Sequence, residues 1–366
     1  LEKPYYDSFE DLSGYRHNAI SFYTQGGQLK KYMPQDIYSK TGTGLRKFLE
    51  EKRLIKQYQS YTRGLEVLQK LVNKNSQLNL TSYSNSELIG VILPIQHNME
   101  FLNAFSNWYY FASQVLEEQL RMRWSTINQT QINQWFQALT QPIIPHATQR
   151  FTERISVLAK QKKPEQSIKD IAREFYWLTS FSSTRRTPDS FIEELKHSTA
   201  SHPPLSVPKD VTEEEKLFFK IATYIKDEQS THIIPWYWFT LENLWKEIAK
   251  RTGLKEINQL WLFTHDELCS YLSENTQISS SEIADRKRAI FVIQDGKEIT
   301  VESGDKAEKH FSKLFKENKT VEIEIIKGQI AYMGKVTGKV KIILGKDQFS
   351  KFDKGDILVA PYTAPE

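Results

Sequence analysis

The chain has 366 residues, 39% hydrophobic and 26% charged, enough to bury real cores in two or three domains. Its 49 basic and 45 acidic side chains leave a net charge of +4, too even a balance to point to nucleic acid or an anionic membrane. The single cysteine excludes an intrachain disulfide and fits a reducing, cytoplasmic setting, and no apolar run reaches the roughly 18–20 residues of a bilayer span.

The amino-terminal "LEKPYYDSFED" lacks both an initiator Met and a signal-like apolar core. From Phe48 to Val72 apolar positions recur every three or four residues (Leu54, Ile55, Tyr58, Tyr61, Leu65, Leu68), which predicts a helix. Ser84 and Glu87 have capping-box spacing ahead of a second apolar stretch that Pro94 is expected to interrupt. Phe101 to Leu116 then carries a wide aromatic and aliphatic stripe of the kind a helix buries as core. Further helices are expected at Gln131–Leu139, Ala147–Lys160 and Ile168–Phe181.

Order weakens in "HSTASHPPLSVPKD", His197 to Asp210, which reads as a linker or long loop. Thr212 can cap the helix begun by three glutamates, which suit the positive end of its dipole, and Gly253 is a good helix stop. Cys269, next to Leu268 on an amphipathic helix, reads as a buried structural thiol. After Arg286 the hydrophobic period changes from about 3.6 to two. "AIFVIQDGKEITV" predicts a hairpin around Asp295-Gly296, and "TVEIEIIKG" and "GKVKIIL" alternate as strands do.

The inventory of reactive groups is thin. The eight histidines are scattered without metal-like spacing, and His97 and His265 read as packed or surface residues. Asp227 and Glu228 are helical neighbours pointing about 100° apart, a poor acid/base dyad. No Gly-x-Ser-x-Gly elbow and no Gly-rich Lys loop is present, so no catalytic residue and no metal ligand is assigned.

Gly328, Gly334 and Gly338 punctuate short strands at spacings of six and four, as turns and close packing require. With Ala331, "KVKII", Phe352, "GDILVAP" (which contains Gly355 and Asp356) and Thr363 to Glu366, they complete a pattern. It resembles the opening of the swivelling phosphohistidine domain of phosphoenolpyruvate-utilising enzymes, a family that includes phosphoenolpyruvate synthase, pyruvate phosphate dikinase and rifampicin phosphotransferase. The likeness is dense from Lys327 to Glu366. It is thinner upstream, where "NQLWLFTHDELCSYL" and "IADRKRAIFVI" are similar to the connector of rifampicin phosphotransferase-like members, and the helical segment before them is similar to theirs. Residues 1 to about 200 carry no assignable motif.

The resemblance implies a cytoplasmic phosphotransferase that uses ATP and Mg²⁺ with a small-molecule phosphoryl donor and acceptor, and neither nucleic acid nor membrane as partner. Its carrier histidine normally follows the Thr-x-Pro-Glu loop by some tens of residues, so the chain reads as a fragment ending before it, inactive as it stands. None of the eight histidines takes that role, and no ATP-binding residue is supplied. The loop at Thr363 and Glu366 either lies beside the phosphohistidine, where a hydroxyl and backbone N–H groups meet phosphoryl oxygens, or is a strand-capping turn. A different outcome is a non-enzymatic helical scaffold whose degenerate swivelling domain binds partners.

The expected fold is mainly α with a C-terminal β-rich portion: a helical domain over 1–197, a linker over 198–210 and a second helical or connector region over 211–288. A connector with a hairpin follows over 289–326, and a partial swivelling β/α domain over 327–366.

Overall fold

The computed structural model describes residues 18–24, 29–32, 45, 49, 53–159, 170–171, 174–178, 206–295, 298–314, 337–343, 351, 353 and 355–359. These are mainly helical and fall into two compact units.

The first unit holds eight α-helices among the described residues: α1 (Leu54–Ser76), α2 (Asn85–Arg123), α3 (Gln129–Leu139), α4 (Ala147–Ala159), α5 (Glu213–Glu228), α6 (Ile234–Thr240), α7 (Glu242–Arg251) and α8 (His265–Ser273). The expected signals start and stop them. Ser84 Oγ accepts the Glu87 amide while the Glu87 carboxylate accepts the Ser84 amide, closing a capping box on α2. Thr212 and Glu215 do the same for α5. Gly253, at φ +79°, ends α7: its amide donates to the Lys250 carbonyl and that of Leu254 to the Ala249 carbonyl, the double bond of a Schellman turn.

Pro94 does not interrupt α2, which runs through it for 39 residues. An internal proline costs roughly 3 kcal/mol. Here the helix is held by a long apolar face, with Leu102, Trp108, Tyr109 and Leu120 wholly buried, and this burial outweighs the local penalty.

Helices α1 and α5 both pack along α2. Their shared core is aromatic: Tyr61 of α1 lies edge-on to Tyr224 of α5, and Trp108 of α2 edge-on to Phe218 of α5. The α1–α2 approach depends on Gly64. A Cβ there would stand 2.9 Å from Leu102 Cδ2 and from Phe101 Cε1.

The second unit contains strands β1 (Asn18–Thr24), β2 (Leu29–Tyr32), β3 (Ala289–Asp295) and β4 (Glu298–Ser303), of which the end residues Asn18, Asp295 and Glu298 fall in the first unit, and helices α9 (Ser280–Arg288) and α10 (Gly304–Leu314). The four strands form one sheet in the order β2-β1-β3-β4, with β1 and β2 antiparallel and Phe22 opposite Lys30. Ala289 and Phe291 of β3 are buried with Ala307 of α10, and Ile293 and Phe311 pack against them. The β3–β4 hairpin lies where the Asp295-Gly296 signal places it. The helical reading of residues 1–197 is corrected at 18–24 and 29–32: two strands stand there, β1 next to β3 and β2 on the other side of β1. β1 and β2 pair with each other locally, but the strand on the other side of β1 lies some 260 residues away in sequence, beyond any local periodicity. A separate two-stranded sheet pairs β5 (Val340–Ile342) with β6 (Ile357–Val359).

Two glycines of the first unit should respond oppositely to substitution. Gly64→Leu is expected to lower stability by about 1–3 kcal/mol through overpacking against α2. Gly90→Ala, where an added Cβ meets nothing within 4 Å, should raise it by up to about 1 kcal/mol. Chemical denaturation of the two variants checks both signs.

Candidate functional site

Of the residues singled out by the family resemblance, Gly338, Gly355 and Asp356 lie among the described residues and come together at the β5–β6 pair. Gly328, Gly334, Thr363 and Glu366 lie outside them. Strands β5 and β6 are parallel, with Val340 opposite Ile357 and Ile342 opposite Val359. The ladder continues at both ends, the Ile357 amide donating to the Lys339 carbonyl and the Ile343 amide to the Val359 carbonyl.

The glycines have mechanical reasons to be there. A Cβ on Gly338 would sit 2.5 Å from the Gly355 carbonyl oxygen, and Gly355 has φ +101°. Asp356 closes the turn before β6: its carboxylate accepts the Asp353 amide, its own amide donates to the Asp353 carbonyl, and Lys341 Nζ stands 4.0 Å away. Val340 and Ile342 are more than half exposed, so this pair presents apolar side chains outward.

A second polar centre lies in the helical unit, at a place that sequence reasoning passed over. Between α5 and α6, Gln229–Ile233 form one π-helical turn, in which the Ile234 amide donates to the Gln229 carbonyl. Pro235 explains the widening. In a regular α-helix its ring would press on the carbonyl four residues back, and the wider turn relieves that contact.

Glu228, immediately before the turn, is only 3% exposed, and its carboxylate is met by three donors. These are the Ala147 amide at the start of α4 (2.9 Å), Arg150 Nη2 (3.1 Å) and His232 Nδ1. The first satisfies an orphan amide at a helix amino end, where negative charge is favoured. The turn is also tied to α1 and α2, since Tyr61 Oη donates to Gln229 Oε1 and Gln229 Nε2 donates to Asn103 Oδ1.

His232 stacks on Trp177, with ring centroids 4.3 Å apart and planes at 21°. With Nδ1 facing a carboxylate, Nε2 is left as its other proton-exchanging nitrogen, the arrangement of an oriented general base. Yet His232 lines neither the cavity beside α7 nor the smaller one at residues 141–153. Its bond to Glu228 and its stacking on Trp177 give it an organising role.

Asp227 and Glu228 diverge as their helical spacing requires. Asp227 faces His146 Nε2 at 3.5 Å while Glu228 faces Arg150 and His232. Burial raises the Asp227 pKa above the ordinary aspartate value, against the pull of His146 and Lys226. For Glu228 burial acts the same way, but the bonds from His232 and Arg150 outweigh it and its pKa lies below the ordinary glutamate value.

The other reactive groups behave as packed or surface residues. His97 is exposed. His265 lies beside Trp245, and burial lowers its pKa. The Cys269 thiol is half-buried, and burial followed by the Asp266 charge raises its pKa, which keeps it protonated. Among the described residues no group of three or more His, Cys, Asp or Glu side chains is placed to hold a metal ion. No helix among them is long and apolar enough to cross a membrane.

Comparison of the chain with protein-family models, with curated proteins and with solved structures finds no match.

Two measurements probe these centres. Gly338→Ala is expected to speed hydrogen exchange of the Ile343 and Ile357 amides at least about tenfold, ~1.4 kcal/mol, because the new Cβ pushes on backbone rather than on a movable side chain. Unchanged exchange would mean the strands tolerate a wider spacing. At the helical centre the sign follows from the lowered pKa. The contribution of Glu228 is complete above the unfolded glutamate value and is lost as pH falls through the folded one. Glu228→Gln should therefore destabilise the protein by about 1–3 kcal/mol at neutral pH. It should also flatten the loss of stability between neutral pH and roughly pH 3. Thermal melts across that range read both effects, and an unaltered acid limb would contradict them.

Proposed function

We propose that this chain is part of a phosphotransferase resembling the phosphoenolpyruvate-utilising enzymes, with residues 327–366 opening its swivelling phosphohistidine domain. The observation that carries the reading is the parallel register of β5 with β6 inside the stretch that bears the resemblance. Features of the motif acquire physical reasons there: Gly338 lets the backbones approach, Gly355 takes a positive φ, and Asp356 closes the turn. Thr363 and Glu366 follow β6 in the sequence, and parallel sheets bind ligands at the carboxyl ends of their strands.

In this reading the phosphoryl carrier is a histidine past Glu366, and the donor and acceptor are small molecules. The helices form the body that precedes the moving domain. ATP and Mg²⁺ are implied by the resemblance alone, and the described residues hold no carboxylate or histidine cluster that would fit the metal ion. No step is routed through them.

The test is phosphate labelling. The 366-residue chain, incubated with labelled phosphoenolpyruvate or ATP, is expected to retain no acid-labile, base-stable label on any of its eight histidines. A chain continued past Glu366 through the carrier segment is expected to retain it. Label on one of the eight would overturn the assignment. Its absence from the longer chain would instead favour the scaffold, with the exposed strand pair as a docking element.

A further inference from the structure

Helix α4 is anchored at its amino end. Among its described side chains Ala147 and Phe151 are buried, while Thr152, Glu153, Arg154 and Val157 are exposed. Burial of one ring and one methyl group holds a helix weakly compared with the long apolar face of α2. Charge completes the hold. The Ala147 amide donates to Glu228 Oε2 and Arg150 Nη2 to Glu228 Oε1, so this one helix serves both oxygens of the buried carboxylate. Further along, Phe151 meets Phe175 edge-on at 5.4 Å, and Arg154 pairs with the exposed Glu174, a contact of the kind that contributes little.

The flanking segments have ties of their own. Pro142 and Pro145 restrict the backbone ahead of α4, and the Ile143 amide donates to the Lys220 carbonyl of α5 at 3.1 Å. Between that bond and α4, His146 Nε2 stands 3.5 Å from Asp227, too far for a strong hydrogen bond. On the other side, Tyr176 Oη lies 3.1 Å from Thr240 Oγ1, and Trp177 stacks on His232. A weakly seated helix between two fastened segments is the part that opens first.

What α4 rests on is the π-turn. Arg150 Nη2 and His232 Nδ1 share Glu228 Oε1, so the guanidinium stands beside the imidazole. The His232 side chain is only 14% exposed. A carboxylate–imidazole pair of this kind, oriented but closed off, is what a lid covers.

We propose that α4 is a lid over the Glu228–His232 pair, lifting about residues 144–146 while the rest of the helical unit stays folded, and so admitting small polar solutes to the imidazole. The lid lies wholly within the helical unit and stands whether or not the phosphotransfer reading holds. Native-state hydrogen exchange and acylation by diethyl pyrocarbonate test it on the whole chain. The Ala147 amide, buried on Glu228, is expected to exchange at least about tenfold faster than the amides of Leu102–Leu116 in α2, with the same weak denaturant dependence as Phe151–Val157. In the closed state His232 should be acylated at least about tenfold more slowly than the exposed His97. Arg150→Met removes a side chain that is 39% exposed and leaves the core intact. It should speed Ala147 exchange and His232 acylation by one common factor, at least about threefold. An Ala147 amide as slow as those of Leu102–Leu116 would mean that α4 only frays at its far end, and would overturn the proposal. So would a His232 that reacts as fast as His97, or one whose reactivity Arg150→Met leaves unchanged.

Discussion

A carboxylate withdrawn from water must be met by donors, and in the helical unit that demand falls on Glu228. Its partners come from three separate places: the first amide of α4, Arg150 one turn further along the same helix, and His232 across the π-turn. Leaving such a group unmatched costs several kcal/mol, so the approach of α4 to the end of α5 is set by this charge as much as by apolar contact. The lowered pKa expresses the same fact in another quantity.

The neighbouring features follow from that arrangement. Pro235 forces the wider turn, and the turn carries Gln229 to where it bridges Tyr61 and Asn103, joining α1 to α2. His232, held by Glu228, offers its ring face to Trp177, which belongs to an aromatic cluster with Phe151, Phe175 and Phe239. One polar contact thus links the three-helix core to this second apolar cluster. Aromatic residues dominate both because each ring covers much surface while losing few rotatable bonds.

How much of this was legible depends on the range of the signal. The capping boxes at Ser84 and Thr212, the stop at Gly253 and the hairpin around residue 295 are local devices, written within four or five residues, and the structure holds them there. Two features escaped because their causes are distant. Strands β1 and β2 are short and pair locally with each other, and the strand that joins them to a larger sheet, β3 beside β1, lies far along the chain. Pro94 looked like a break because a local penalty was weighed without the buried face that offsets it. The Glu228 centre was half visible: His232 stands four residues after Glu228 and a proline follows at 235. Arg150 and Ala147, which decide its chemistry, carry no mark linking them to it in the sequence. In the β5–β6 stretch, Gly338 and Gly355 were legible as turn and close-approach residues, and the parallel pairing gives that expectation its geometry.

A double-mutant cycle on Glu228 and Arg150 tests most directly whether this buried charge organises the helical unit. Glu228→Gln, Arg150→Met and the double variant are compared with the parent protein by denaturant unfolding at neutral pH. If the pair acts as the structure indicates, the two losses are not additive, with a coupling of at least roughly 1 kcal/mol. Losses that sum to within about 0.5 kcal/mol would contradict it, leaving Glu228 and Arg150 as independent neighbours.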